Sequence, residues 1–449
     1  MKRRIFIWTG RVCLPLMAVV AAATTVLNYY AVHNFHTIDK HLVFRERILH
    51  GFATTDVVPA YPIPPTFPMW GYGFVLLLST NKLLLIVLQF AVALGSAWYF
   101  LRVVDESGLV DEWGRFWLRA FMICCLPWYA YHSIDWSQSL ATSFLVLSVS
   151  LLIRAVRHEP IAWRYLGASA ICLGINLNFA SDLYLLPVAL AVTYWWCAGL
   201  SRLSFTHAAA WLVVVIATLI PWMVYSWRAT GVPLVKSTNQ GHVLLIGLGQ
   251  DPRHRFATTY SDDDPFMYRI IRERLGDDFA RRFYASCSYE ADRVLRPAFV
   301  QMIRQQPYDY LDLIRLKLGQ ILTGDIGTYA GEFDQGGNEG RFGVGNRVRN
   351  RLQRYSVEEG RCLQLGTTVF GAIAVWAGVA ARKRAWLLVM VTIAYQYLSC
   401  SVAALQPQYV SNLILFQLLV CAHGVGVLCS WWTRQRSERL LSPRRLASR

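Results

Sequence analysis

The sequence predicts an all-α polytopic membrane protein, with about ten transmembrane helices, a re-entrant or juxtamembrane segment, and a helical hydrophilic segment on the outer side. Three observations predict it. Of 449 residues, 55% are hydrophobic and only 16% charged, against about 25% charged in soluble domains. Apolar runs long enough to cross a bilayer core of about 30 Å recur along the chain. The stretches between them alternate between arginine-rich and acid-bearing, which sorts them to opposite faces. The net charge of +16 would suggest a nucleic-acid partner in a soluble protein. Here the arginines sit between apolar runs and at the C-terminus, facing anionic lipid and cytoplasm, and no nucleic-acid module accompanies them.

MKRR precedes the first apolar run without a small-x-small cleavage site, so that run reads as an uncleaved first helix. Spanning runs fall at 12–30, 83–101, 116–131, 140–153, 162–177, 183–196, 208–225, 364–381, 387–404 and 410–431. A further run at 69–80 is too short to cross as a helix. If it spanned, the basic tail RQRSERLLSPRRLASR would lie outside. Ten crossings instead put that tail, MKRR, RAVRHEPIAWR, GLSRLSFTH and ARKRAW on one inner face. The short run is therefore expected to be re-entrant, with the prolines at its entry breaking the element. The ten cysteines lie mostly inside apolar runs as small hydrophobes. Cys287 and Cys362, in or beside the hydrophilic segment, are the one pair considered for a disulfide.

Four regions follow: an N-terminal transmembrane module at 1–226 with a first outer loop at 33–68, an outer helical segment at 227–361, C-terminal transmembrane helices at 362–432, and a basic tail at 433–449. Within the outer segment, helices are expected at 266–282, 289–305 and 308–322, with Pro307 separating the last two. The third is apolar over much of its circumference and is expected to dock on the membrane face. Residues 324–350 are glycine-rich without helical period and read as a mobile loop with the character of a lid. The GVGN within them is too short for a nucleotide fingerprint.

The first outer loop concentrates chemistry. Asp39, Lys40, Arg45, Glu46, Arg47, His50 and Asp56 precede YPIPPTFP. Leu42, Val43, Ile48 and Leu49 allow a short amphipathic helix after Asp39. The spans hold few ionisable groups: Lys82, Arg119 and Arg164 lie near ends, and His423 is isolated. Ion-coupled transporters usually carry mid-membrane charge, so reactive groups are expected at the outer rim instead. A site there suits a reaction joining a lipid-borne molecule to a partner reached from outside. Arg228 ends a span on that side, and guanidinium matches phosphate oxygens bidentately; as an alternative, it is an interfacial snorkelling side chain.

The order of an acid after the first helix, a short helix ending in Gly, and PxPPxxP entering an apolar segment resembles the C-type membrane glycosyltransferases that use polyprenyl-phosphate sugars. That family includes the protein mannosyltransferase and lipid A aminoarabinose transferase branch. PWMVYSWRATGVPLVKSTNQGHVLLIGLGQDP at 221–252, the Gln306-Pro307 helix pair with KLGQIL, and PQYVSNLIL extend the resemblance in order over most of the chain. It implies a C-type glycosyltransferase fold in a bacterial inner membrane with both termini cytoplasmic. It also implies transfer of a sugar from a polyprenyl-phosphate-linked donor to an envelope acceptor (lipid, polysaccharide or protein) at the periplasmic face. Asp39 matches the family's acid and is the expected general base, with Asp135, in YHSIDWSQ, as a second acid. Arg228, Lys40 and Arg45 are the expected donor-phosphate cations, although Lys40 and Arg45 also suit a solvated face. No metal ligands are assigned, and a divalent cation stays open. The chain departs from the aminoarabinose branch at Pro62 and Ile63, where an acid precedes the double proline, and at Gln408-Tyr409, where Arg-Tyr is common. Two other classes stay open: a lipid-linked saccharide transporter or flippase, which would need internal repeats and a polar central cavity, and a non-catalytic envelope assembly protein on the same scaffold.

Overall fold

Backbone in lipid has no water to bond, so it must satisfy its own N–H and C=O groups, and helices do this within one segment. The computed structural model describes residues 12–25, 39–54, 63–133, 137–157, 162–180, 183–326, 346–379 and 383–446. Among these, the regular elements are helical. In order they are α1 (Val12–Thr25), then α2 (Asp39–Leu49), α3 (Gly71–Leu78), α4 (Lys82–Ser107), α5 (Glu112–Cys124), α6 (Leu126–His132), α7 (Ser137–Arg157), α8 (Ala162–Phe179), α9 (Leu186–Cys197) and α10 (Arg202–Thr230). An outer group follows, α11 (Gln240–Leu248), α12 (Pro265–Leu275), α13 (Asp277–Ala280), α14 (Tyr289–Gln305) and α15 (Pro307–Thr323). The chain then continues through α16 (Asn346–Val379), α17 (Ala385–Val402), α18 (Pro407–Ser411) and α19 (Ile414–Leu446).

Five described helices are long and apolar enough to cross a membrane: α4, α7, α10, α17 and α19 over Ile414–Gln435. α1 and α9 are apolar but shorter. The run at 116–131 is split between α5 and α6, where the N–H of Leu126 is taken by the Glu359 carboxylate at 3.0 Å. α3 has 8 residues, about 12 Å of rise, and is too short to cross, as its sequence predicts. α16 runs unbroken across position 361 for 34 residues.

Helices in lipid associate by close packing of small residues rather than by expelling water. α7 shows this, burying Ser139, Ser143, Ser148 and Ser150, with the Ser148 and Ser169 hydroxyls 3.0 Å apart across to α8. On the other side of α8, a Cβ at Gly174 would fall 1.7 Å from the Thr218 hydroxyl of α10, so only glycine permits that approach. α7 also packs on α4, α9 on α10 and α17, and α19 on α5 and α16. The arginine-bearing ends gather on one face: Arg154 pairs with Glu106 at 2.8 Å, and Lys383 donates to the Leu109 carbonyl at 3.3 Å.

At the opposite face, the outer helices pack around Leu245, Met267, Ile271, Leu295, Phe299 and Leu313. Acids hold this group together. Asp264 is buried and caps α12 through the Met267 N–H at 2.9 Å. Arg255 joins Asp251, Asp309 and Asp312 at 2.8 to 3.0 Å. Cys287 is buried and Cys362 exposed, and both are free thiols. The predicted helix at 266–282 ends at Leu275 and restarts as α13 after Gly276, whose φ of +91° suits glycine. Residues 327–345 of the glycine-rich loop lie outside the described residues.

The outer group is fastened to the end of α17 by polar contacts. Lys317 of α15, 2% exposed, donates to the Gly247 carbonyl at 2.7 Å and the Ala403 carbonyl at 2.6 Å. The Gln250 carboxamide bonds both the N–H and the C=O of Leu405 at 2.7 Å. Burial pushes the Lys317 amine down from 10.5 to about 7, and a neutral amine still has two N–H groups for the two carbonyls. Between pH 7 and 10.5 the unfolded chain holds the extra proton, so this group adds stability as pH rises through that window. The gap in Tm between the wild type and Lys317→Met should therefore widen from pH 7 to 10. A constant gap would contradict the account.

Candidate functional site

A cavity of about 450 Å³ lies where the outer group meets the helix ends. It is bounded by the start of α7 (Ser137, Gln138), the end of α8 (Phe179, Ala180), the end of α17, the loop bearing Phe67, Pro68 and Met69, and the stretch from Lys236 to Leu244. The start of α7 and the end of α17 are span ends on the face opposite the arginines, so the cavity sits at that rim of the bundle.

Local sequence fixes each wall. Arg47 of α2 is buried, donating to the Ile63 carbonyl at 2.5 Å and the Pro64 carbonyl at 3.3 Å, with its guanidinium 5.2 Å from the Phe44 ring centre. These contacts hold the proline-rich loop against α2. The Thr238 hydroxyl donates to the Cys287 carbonyl at 2.7 Å, its N–H donates to the Thr66 carbonyl at 3.2 Å, and the Thr66 and Thr238 hydroxyls are 3.0 Å apart. The proline-rich loop, the lysine-bearing stretch and the turn before α14 therefore meet at one point.

The lining combines aromatic faces with hydroxyls and carboxamides. Its cation is Lys236, half-buried, with Nζ against the Gln240 carboxamide oxygen and 4.3 Å from the centre of the Tyr184 ring. Burial, aided by Arg296 and opposed by Asp292, lowers its amine from 10.5 to about 8. It thus keeps its charge at neutral pH while weakly hydrated, a good state for binding an anion. Gln138 Oε1 is buried without a hydrogen-bond partner among the described residues, leaving an acceptor free for a ligand hydroxyl. His41, also lining the cavity, stands edge-on to Tyr72 at 5.0 Å.

Some residues predicted for this chemistry lie elsewhere. Asp39 and Lys40 open α2, as the amphipathic pattern predicts, but their side chains are outside the described residues, as are Asp135 and Asp56. Arg45 is not in the lining; it pairs with Glu46 and donates from Nε to the Leu76 carbonyl at 3.1 Å, steadying α3. Arg228 is exposed on the last turn of α10 and is not in the lining. Lys236 and His41 were missed. The only signal for Lys236 was a lone cation in the small, polar run of PLVKSTNQG. Among the described residues, no group of three His, Cys, Asp or Glu side chains could hold a metal.

No family model and no curated protein matches the chain. Two solved structures are similar to it: crystal structures of ArnT from Cupriavidus metallidurans in the apo state and bound to undecaprenyl phosphate. Their identities are 11% and 15% over 90% and 92% of this chain and 77% and 78% of theirs, with TM-scores of 0.36 and 0.35.

If the Lys236 charge holds an anion, removing it costs one charge-assisted contact. Lys236→Gln should weaken binding of a singly charged alkyl phosphodiester by about ten- to a hundredfold. Wild-type affinity should fall as pH rises through 8, while the variant stays flat. Equal affinities of both proteins at pH 7, read by isothermal titration in detergent, would remove Lys236 from the site.

Proposed function

We propose that the chain is a membrane glycosyltransferase moving a sugar from a polyprenyl-phosphate-linked donor to an envelope acceptor at the periplasmic face of the bacterial inner membrane. The observation that carries this reading is the rim cavity, where the PPTFP, KSTNQG and PQY segments meet around a cation, carboxamides and aromatic rings. These are the segments that resemble the C-type family. In this reading the membrane part has ten crossings with α3 re-entrant, residues 227–361 form the outer segment, and both termini are cytoplasmic.

A sugar already linked through phosphate has a competent leaving group, so the protein has two tasks. It must neutralise the departing phosphate, and it must take the proton of an attacking hydroxyl. A preorganised cation at low dielectric performs the first task well, which we assign to Lys236. Arg228 and Lys40 are secondary cations for the lipid headgroup, whereas Arg45 is engaged by Glu46 and the Leu76 carbonyl. The free Gln138 oxygen and neighbouring Ser137 suit sugar hydroxyls, and the aromatic faces suit the sugar ring and the first isoprenes. We assign the base to Asp39, at the head of the helix that carries His41 to the cavity, with Asp135 as the second acid. A general base contributes about 10²- to 10⁴-fold in rate.

Asp39→Asn keeps size while removing basicity. Sugar transfer from a lipid-linked donor should fall at least about a hundredfold with donor affinity unchanged, whereas Lys236→Gln should raise the donor Kd. Near-normal transfer by Asp39→Asn would move the base elsewhere, with Asp135→Asn the next variant to assay. Accumulation of an unused lipid-linked sugar in cells lacking the protein would favour a transferase. An unchanged pool would favour an assembly protein on this scaffold.

A further inference from the structure

Behind the cavity wall lies a buried acid that the reaction itself does not need. Asp292 of α14 is 2% exposed. Its Oδ1 accepts the N–H of Gly241 at 2.6 Å, and its Oδ2 meets Arg296 Nη2 at 2.5 Å. Asn239, at the N-cap of α11, makes no side-chain cap bond. The carboxylate therefore caps α11 from another helix, placed where the helix dipole favours negative charge. The approach is close: a Cβ at Gly241 would lie 2.7 Å from Leu295 Cβ and 3.0 Å from Arg296 N.

Lys236 lies three residues before the Asn239 N-cap; burial lowers its amine, with Arg296 adding to the shift and Asp292 opposing it. From other elements it faces the Tyr184 ring and its own stretch's Gln240. His41, Tyr395, Cys400 and Tyr409 are the remaining titratable groups in the described lining. We infer that Asp292 and Arg296 act as a positioning pair: capping α11 from α14, they hold the Lys236–Gln240 wall and its charge in place and so set how strongly the cavity takes a phosphate-type anion. The anion half of this inference rests on the function proposed above; the charge-setting half does not.

The two halves are tested on the full chain in detergent. The pH dependence of reductive methylation at Lys236, read by peptide mass spectrometry, reports its protonation without any ligand. The wild-type midpoint should lie near 8. Asp292 favours the charged amine and Arg296 opposes it, so Asp292→Asn should move the midpoint down and Arg296→Gln should move it up. A purely structural role would not give opposite shifts, and unmoved midpoints in both variants overturn the inference. In parallel, binding of citronellyl methyl phosphate, a diester whose single charge stays constant over this range, should lose affinity at the same shifted midpoints. If methylation midpoints shift but the diester does not bind the wild type, the anion half falls with the proposed function and the charge-setting half stands.

Discussion

The Thr238 contact with Thr66 and Cys287 is the constraint on which the site depends. Three segments far apart in sequence, the proline-rich loop, the lysine-bearing stretch and the turn before α14, share that one hydroxyl and N–H. Each is irregular, and irregular backbone near a membrane is tolerated only where its polar groups find partners. Beside this junction Val43, Ile63, Phe67 and Cys287 pack together and the Phe67 ring lies 5.5 Å from that of Tyr284, so the loop and the turn before α14 are held by apolar as well as polar contacts. With these contacts, the cavity has walls that hold before a ligand arrives, which is the condition for electrostatic stabilisation without reorganisation.

Around the junction, buried polar side chains serve as struts. Arg47 donates to two loop carbonyls, Lys317 to two carbonyls across the outer group and α17, and Asp292 accepts the Gly241 N–H in the first turn of α11. A buried polar group left without its partner costs about 1 to 3 kcal/mol, so such groups persist only where partners are supplied. All three bond backbone, and backbone cannot move away as a side chain can. The outer rim is therefore positioned by hydrogen bonds, and the spans below it by close contacts such as Gly174 against Thr218.

The sequence made the apolar layer legible because composition and run length act locally. The helix after Asp39, the shortness of α3, the break at Pro307 and the helix at 289–305 follow from patterns a few residues wide. The cavity was less legible. Lys236 looks like an isolated cation in a turn until the Tyr184 ring, more than fifty residues earlier, is seen 4.3 Å from its amine. Lys317 looks like one polar residue on an apolar helix, and Arg47 like part of a solvated face. What buries each of them is distant in sequence, and no periodicity reports it. Arg45 and Arg228 were prominent as charges, yet one steadies α3 and the other stays exposed.

The central claim is that this rim cavity receives a lipid-borne phosphate. A polyprenyl phosphate carrying a diazirine on its first isoprene, photolysed in proteoliposomes and mapped by mass spectrometry, tests it most directly. The account predicts adducts on the peptides around Phe67 to Met69, Lys236 to Leu244 and Leu398 to Ala404, all lost when unlabelled polyprenyl phosphate competes and reduced in Lys236→Gln. Adducts spread over the lipid-facing helices, unaffected by competitor or by Lys236→Gln, would contradict it.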